Sequence, residues 1–152
     1  MAGILDELPS WLLSRSAARA HRLLSRGLGA AGYTGYEFRV IAAVSALGEL
    51  SQAEIGRRVA LDRRDVTDTV RQLEAREVIT RRADPKNARV ALVQLTPYGR
   101  DESGRLADAM EGIQHEVVAS LTAAEAKQLV VLLGKIAGSP GPDTASGATT
   151  RA

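Results

Sequence analysis

Aliphatic side chains recur every three or four positions along most of this chain, and between residues 78 and 95 the pattern changes. The first spacing lays apolar side chains along one face of a helix, whereas short runs of β-branched and apolar residues suit a strand. Val78-Ile79-Thr80 and Arg89-Val90-Ala91-Leu92-Val93-Gln94-Leu95 are runs of the second kind. Between them Ala83-Asp84-Pro85-Lys86-Asn87-Ala88 has the composition of a turn, so a β-hairpin with a basic, polar loop is expected among helices.

The flanking helices announce their own ends. The first covers about residues 5–28, with Leu5, Leu8, Leu12, Leu23, Leu24 and Leu28 in register; Pro9 occupies its first turn or a kink, and Gly27, Gly29 and Gly32 are expected to break it. Thr34 and Glu37, Ser51 and Glu54, and Thr122 and Glu125 all have capping-box spacing, in which each side chain accepts from the other residue's free backbone N–H. Phe38, Ile41 and Val44 follow the first box, and Ile55 and Val59 the second. Asp62 is an N-cap for residues 63–76, whose inward positions are Val66, Val70 and Leu73. Thr96 and Pro97 open a long helix carrying Leu106, Met110, Ile113 and Val117, and the last helix carries Leu129, Val130, Leu133 and Ile136. Residues 138–152 hold almost no large apolar side chain and are expected to be disordered.

With 152 residues the chain is about one domain long. It has no cysteine, which excludes disulfides, thiol chemistry and thiolate metal sites. His21 and His115 stand far apart on two helices, so no metal and no cofactor are expected. There is no run of ~18 apolar residues to span a membrane. Nor does a basic stretch followed by an apolar one open the sequence, and a cytoplasmic location is expected. Charge is unevenly spread: residues 51–100 hold 11 Lys+Arg against 7 Asp+Glu, whereas the remainder holds 9 against 11. A basic centre between mildly acidic ends suits one face meeting a polyanion.

The short helix of residues 51–60, a tight turn near Leu61-Asp62 and the helix of residues 63–76 make a helix-turn-helix. Its second helix fits the major groove, where base edges distinguish all four base pairs. Arg63, Arg64, Thr67, Asp68 and Arg71 point away from the apolar positions: arginine chelates guanine, threonine meets a thymine methyl and aspartate accepts from cytosine. A merely solvated helix face would look the same in isolation. The hairpin that follows presents Arg81, Arg82, Lys86, Asn87 and Arg89, as a wing would to phosphates or to a narrow minor groove. A basic edge hairpin that resists aggregation is the alternative. The two elements in succession favour DNA binding, and Ser51 and Gln52 at the start of the first helix join the candidate contacts.

Four runs together resemble the MarR (multiple antibiotic resistance regulator) family: Leu50-Ser51-Gln52-Ala53-Glu54-Ile55-Gly56, Val66 to Glu74, Arg81 to Arg89 with its Asp84-Pro85 turn, and Leu95-Thr96-Pro97-Tyr98-Gly99. The resemblance extends over about residues 5–137. It implies an obligate homodimer, DNA reading by the second helix, Arg89 at the minor groove, and transcriptional control, usually repression, relieved by a small effector. The chain departs from the family pattern in two places. Glu77 stands where glycine is usual, so it either strains that turn or ends the helix differently. Asn87 and Ala88 replace an acidic and a basic residue at the wing tip.

The expected fold is therefore mainly α with a small β-hairpin wing: a winged helix-turn-helix at residues 34–99, an N-terminal dimerisation helix at 5–33, and C-terminal dimerisation helices at 100–137. The outer helices carry more apolar surface than the small winged domain covers, which supports pairing with a second copy. A two-fold dimer sets its reading helices ~34–36 Å apart on a near-palindromic operator. In the family resembled, effector pockets lie between the dimer helices and the winged domain. Trp11, Arg19, His21, Tyr33, Tyr36 and Phe38 fall there and are candidates to line a site for an aromatic or anionic small molecule. No phosphate loop, Ser/His/Asp order, Cys/His pair or metal set is present, so an enzyme is not expected. The remaining rival is a winged helix that binds protein.

Overall fold

The computed structural model describes residues 2–138. The expected tail lies, apart from Gly138, outside the described residues. Helices α1 (Ala2–Leu5), α2 (Pro9–Ala30) and α3 (Gly35–Leu47) lead to a two-residue strand β1 (Leu50–Ser51). Helices α4 (Gln52–Val59) and α5 (Arg63–Ala75) follow, then strands β2 (Ile79–Asp84) and β3 (Asn87–Leu95) and helices α6 (Pro97–Val117) and α7 (Ala123–Ile136). The described residues divide into two compact units after Val117.

All three capping boxes form, with both reciprocal bonds present at Thr34/Glu37, Ser51/Glu54 and Thr122/Glu125. Asp62 caps α5 by accepting from the Asp65 N–H at 2.8 Å. Pro9 resolves as the first residue of α2, where a missing N–H costs nothing. The glycines at 27 and 29 do not end that helix, which runs through both to Ala30. Gly27 is there because α6 crosses close by: a Cβ at this position would collide with Ile113. Close approach, and not helix termination, explains this glycine.

The sheet has order β1-β3-β2, both pairings antiparallel. Leu50 faces Val93 and Ile79 faces Leu95, and the register shifts at Ala83/Asp84 before the Pro85-Lys86 turn. The strand β1 was not anticipated: two residues carry no period of their own, and only the partner β3 makes them a strand. At the turn, the Asp84 carboxylate accepts from the Lys86 N–H at 2.9 Å and the Asn87 amide oxygen from the Arg89 N–H at 3.2 Å. These local bonds shape the tip without an acid–base pair.

The first unit's core brings Leu28, Val40 and Ile41 against Ile55, Val66, Val70, Leu73, Val78, Ile79, Val93 and Leu106, each almost fully buried. At roughly 1.5–3 kcal/mol per buried aliphatic side chain, this cluster is what holds α5 and the hairpin on α3 and α6. In the second unit, α7 leaves Val130 at 70% and Ile136 at 65% exposure, with Val131 and Leu132 also open. Ile4, Leu5, Leu8, Trp11 and Leu12 are likewise exposed at the start of the first unit.

Glu77 takes the first of its two alternatives. It sits at φ 58 in the left-handed region, and α5 closes with Glu77 N–H to Glu74 O at 2.9 Å and Val78 N–H to Leu73 O at 3.0 Å. That bond pair is the Schellman ending, made here by a residue with a side chain. Glu77→Gly is expected to stabilise the fold by about 1 kcal/mol in urea unfolding, because the left-handed conformation costs a Cβ-bearing residue about that much. Gly99→Ala is expected to destabilise it by several-fold more, since the added Cβ would meet the Val78 carbonyl. A neutral outcome at Gly99 would refute the packing described.

Candidate nucleic-acid interface and ligand cleft

The two faces of α5 differ as its chemistry requires. Val66, Thr69, Val70 and Leu73 are buried, while Arg63, Arg64, Asp68 and Arg71 are exposed. Thr67 is half-buried, and its hydroxyl donates to the Arg63 carbonyl at 2.8 Å and lies 3.2 Å from Gln52 Oε1. Gln52 thus ties the start of α4 to the middle of α5. Ser51 is spent on the capping box, where its hydroxyl meets Glu54. Arg64 and Asp68 are 3.9 Å apart, one helical turn from each other, and both remain largely open.

The wing arginines separate into two groups. Arg81 chelates Glu74 on α5, at 3.1 and 2.6 Å, and Arg82 chelates Glu49 just before β1. These hydrogen bonds hold the Glu49 carboxyl below its ordinary pKa and push both guanidinium groups further up. Lys86 and Arg89 are exposed and, among the described residues, enter no ion pair. So two arginines brace the base of the hairpin and two cations are left at its tip. Between α4, the start of α5 and β3 lies an open groove of about 590 Å³, lined by Gln52, Arg57, Arg63, Val90 and Ala91. Arg57 was not among the expected contacts; its place at the end of the short helix, beside Arg58, was the available signal.

A second open cleft, of about 800 Å³, lies between α2, α3, α5 and α6. His21, Tyr36 and Phe38 line it, joined by Arg39 and by Asp65, Asp68, Thr69 and Gln72 from the flank of α5. The other three expected lining residues are elsewhere. Arg19 donates to the Val117 carbonyl at 3.0 Å, and Trp11 is exposed near the start of α2. Tyr33 is buried and donates its hydroxyl to Glu102 at 2.6 Å. The six were candidates because they fall on or beside the first two helices, where the family's pockets lie; that placement does not separate the faces of α2 or reveal the partner of Tyr33 on α6.

The fold has close counterparts. A probable transcriptional regulator from Pseudomonas aeruginosa superposes with a TM-score of 0.78 at 31% identity, covering 87% of this chain and 98% of that one. The MarR family profile matches residues 34–91. The chain belongs to the MarR family. MarR-family proteins are winged helix-turn-helix transcriptional regulators and not enzymes. A second structure, of Bordetella bronchiseptica BpsR and concerning regulation of its DNA binding by 6-hydroxynicotinic acid, superposes at 0.79 with 27% identity, over 88% of this chain and 96% of that one. Among curated relatives, the uncharacterized regulator YdgJ of Bacillus subtilis is 31% identical over 58% of this chain and 54% of its own length. The transcriptional repressor NicR of Pseudomonas putida is 29% identical over 68% of this chain and 65% of its own. The match thus spans less than two thirds of either relative. Among the described residues of this MarR chain, no helix is long and apolar enough to cross a membrane.

Burial and the hydrogen bond to Glu102 push the Tyr33 hydroxyl above its ordinary 10.0. Hydrogen bonds from Arg105 and then Tyr33 draw Glu102 from 4.5 down to about 2. A raised Tyr33 stabilises the fold below pH 10 and loses that contribution as pH climbs beyond it. A depressed Glu102 stabilises it above pH 4.5 and loses that as pH falls toward about 2. In urea unfolding across pH, Tyr33→Phe should flatten the alkaline decline and Glu102→Gln the acid one. Limbs unchanged in both variants would contradict the pairing.

Proposed function

We propose that this chain is a homodimeric, sequence-specific regulator of transcription that represses from a near-palindromic operator and is released by a small molecule. The observation that carries it is the exposed row Arg63, Arg64, Asp68 and Arg71 on a helix whose other face is buried, next to a hairpin with Lys86, Asn87 and Arg89 at its free end. The row reads base edges in the major groove, Arg89 enters the minor groove, and Arg57 with Gln52 meets the intervening phosphates, while Ser51 serves by capping α4. Arg81 serves DNA indirectly, by holding the wing on α5 through Glu74.

The exposed apolar residues of α1 and the start of α2, and separately those of α7, support pairing with a second copy through segments 5–33 and 100–137. Repression is favoured by the likeness to the repressor NicR. The cleft with His21, Tyr36, Phe38 and Arg39 has the aromatic and basic groups to take an aromatic acid, and BpsR, whose DNA binding is regulated by 6-hydroxynicotinic acid, supports that class. A ligand there lies against Asp65 and Asp68 on the reading helix itself, so binding and reading share one element.

Selection of bound duplexes from a random pool is expected to return a two-fold symmetric site, with affinity falling steeply as salt rises. A flat salt dependence would favour a protein-binding winged helix instead. Arg89→Ala should weaken the selected site strongly and leave dimerisation unchanged; unaltered affinity would remove the wing from the interface. Arg64→Ala or Arg71→Ala should relax preference at one position per half-site, costing ~1–3 kcal/mol for a bidentate contact. Titrating the complex with 6-hydroxynicotinic acid should release the DNA, and Phe38→Ala should blunt that release.

A further inference from the structure

The buried face of α5 is packed along its length by Val66, Val70 and Leu73, and at its C-terminal end one side chain, Arg76, adds a polar joint to three neighbouring elements. Arg76, the C-cap of α5, donates to Glu37 Oε1 at 3.2 Å and to the Gly32 carbonyl at 3.0 Å. Its guanidinium carbon also lies 4.2 Å from the centre of the Tyr33 ring. Tyr33 passes the connection to Glu102, and Arg105 completes it by bonding both Glu102, at 2.7 Å, and the Ala31 carbonyl, at 2.9 Å. Five side chains therefore join the end of α5 to the α2–α3 turn, the start of α3 and α6.

The chemistry of the joint favours orientation over strength. The Glu37 side chain is 6% exposed, so its charge needs a partner, and a buried ion pair is a weak source of net stability. A planar guanidinium that meets a carboxylate, a carbonyl and an aromatic face together has one acceptable position, which an ammonium on a flexible stem does not impose. At the other end, the first half of α5 borders the two open spaces already described, one with Arg63 and one with Asp65 and Asp68. A helix of 13 residues is about 20 Å long, so a tilt of about 3° at its end displaces its start by about 1 Å. Hydrogen bonds to base edges tolerate only a few tenths of an ångström, whereas attraction to phosphates falls off slowly with distance.

We propose that Arg76 is a positioning residue: through Glu37, Gly32 and Tyr33 it sets the tilt of α5, and so governs preference for the correct site over generic DNA without touching DNA. The proposal rests on α5 being the reading helix. Its test is the ratio of affinities for the selected site and for a generic duplex, at one salt concentration. The informative variant is the pair Glu37→Gln with Arg76→Met, which removes both charges, keeps an acceptor for the Thr34 N–H and leaves an apolar stem over Tyr33. Generic affinity, its salt slope and the thermal midpoint should stay close to those of the unaltered protein, while the selected site binds about tenfold or more weakly. Arg76→Lys, which keeps the charge but not the planar fork, should recover part of the ratio, and it carries the test alone if the pair fails to fold. An unchanged ratio, or losses on both duplexes that track a fallen thermal midpoint, would overturn the proposal. If the unaltered protein itself shows no preference between duplexes, the DNA-reading assignment of α5 has failed first, and this proposal with it.

Discussion

The short return of the chain after α5 constrains everything around it. Glu77 turns left-handed, and the carbonyl of Val78 then accepts from the Thr96 N–H at 3.1 Å. The Thr96 hydroxyl donates to the Glu77 carbonyl at 2.5 Å and accepts from the Gly99 N–H at 2.9 Å, which caps α6 with the same atom. Gly99 is buried against the Val78 carbonyl and leaves no room for a side chain. End of recognition helix, root of both wing strands and start of α6 thus meet within a few residues. The strain at Glu77 is offset by this set of bonds, and its consequence is that helix and wing present to a partner as one body.

That joint explains why the run from Leu95 to Gly99 was so informative as a pattern. Within the run the Thr96 hydroxyl accepts from the Gly99 N–H across three residues, as the capping-box bonds do, and that locality is what the pattern showed; the bonds from Thr96 to Glu77 and Val78 span 19 and 18 residues and were not legible. The faces of α5 and α6 were legible because burial imposes a period. The features that escaped are those whose partners are distant in sequence. Arg81 and Arg82 are adjacent and chemically alike, yet their acids lie 7 and 33 residues away, and only the folded chain separates them from Lys86 and Arg89. Gly27 was misjudged as a breaker for the same reason, since Ile113 supplies its cause. Tyr33, a candidate to line the cleft from its place beside the first two helices, is instead buried against α6, and its bond to Glu102 crosses 69 positions.

The division of labour among the wing's cations bears on how the protein meets a polyanion. An arginine already chelated by a carboxylate contributes little net field, and moving it to a phosphate requires breaking a bidentate contact first. A free cation at a tip incurs no such cost. Bracing at the base with Glu74 and Glu49, and free charge at the end, lets the hairpin keep its posture before and after contact. From Asp84 to Arg89 two side-chain-to-backbone bonds narrow the conformations open to the tip.

On the proposed function, coupling between a small ligand and DNA would reduce to what the ligand does to α5. A bound molecule shifts the balance between two arrangements only to the extent that it prefers one of them. The cleft borders the helix along Asp65, Asp68, Thr69 and Gln72, of which Asp68 also belongs to the outward row, while the far end is tied at Arg76. Push applied beside a pinned end becomes rotation, and rotation moves the start of the helix most. The same 1 Å that separates a good base contact from a poor one is thus within reach of a modest ligand, provided the pin holds. A loose end would let the helix translate, and ligand and DNA would then bind with little regard for each other.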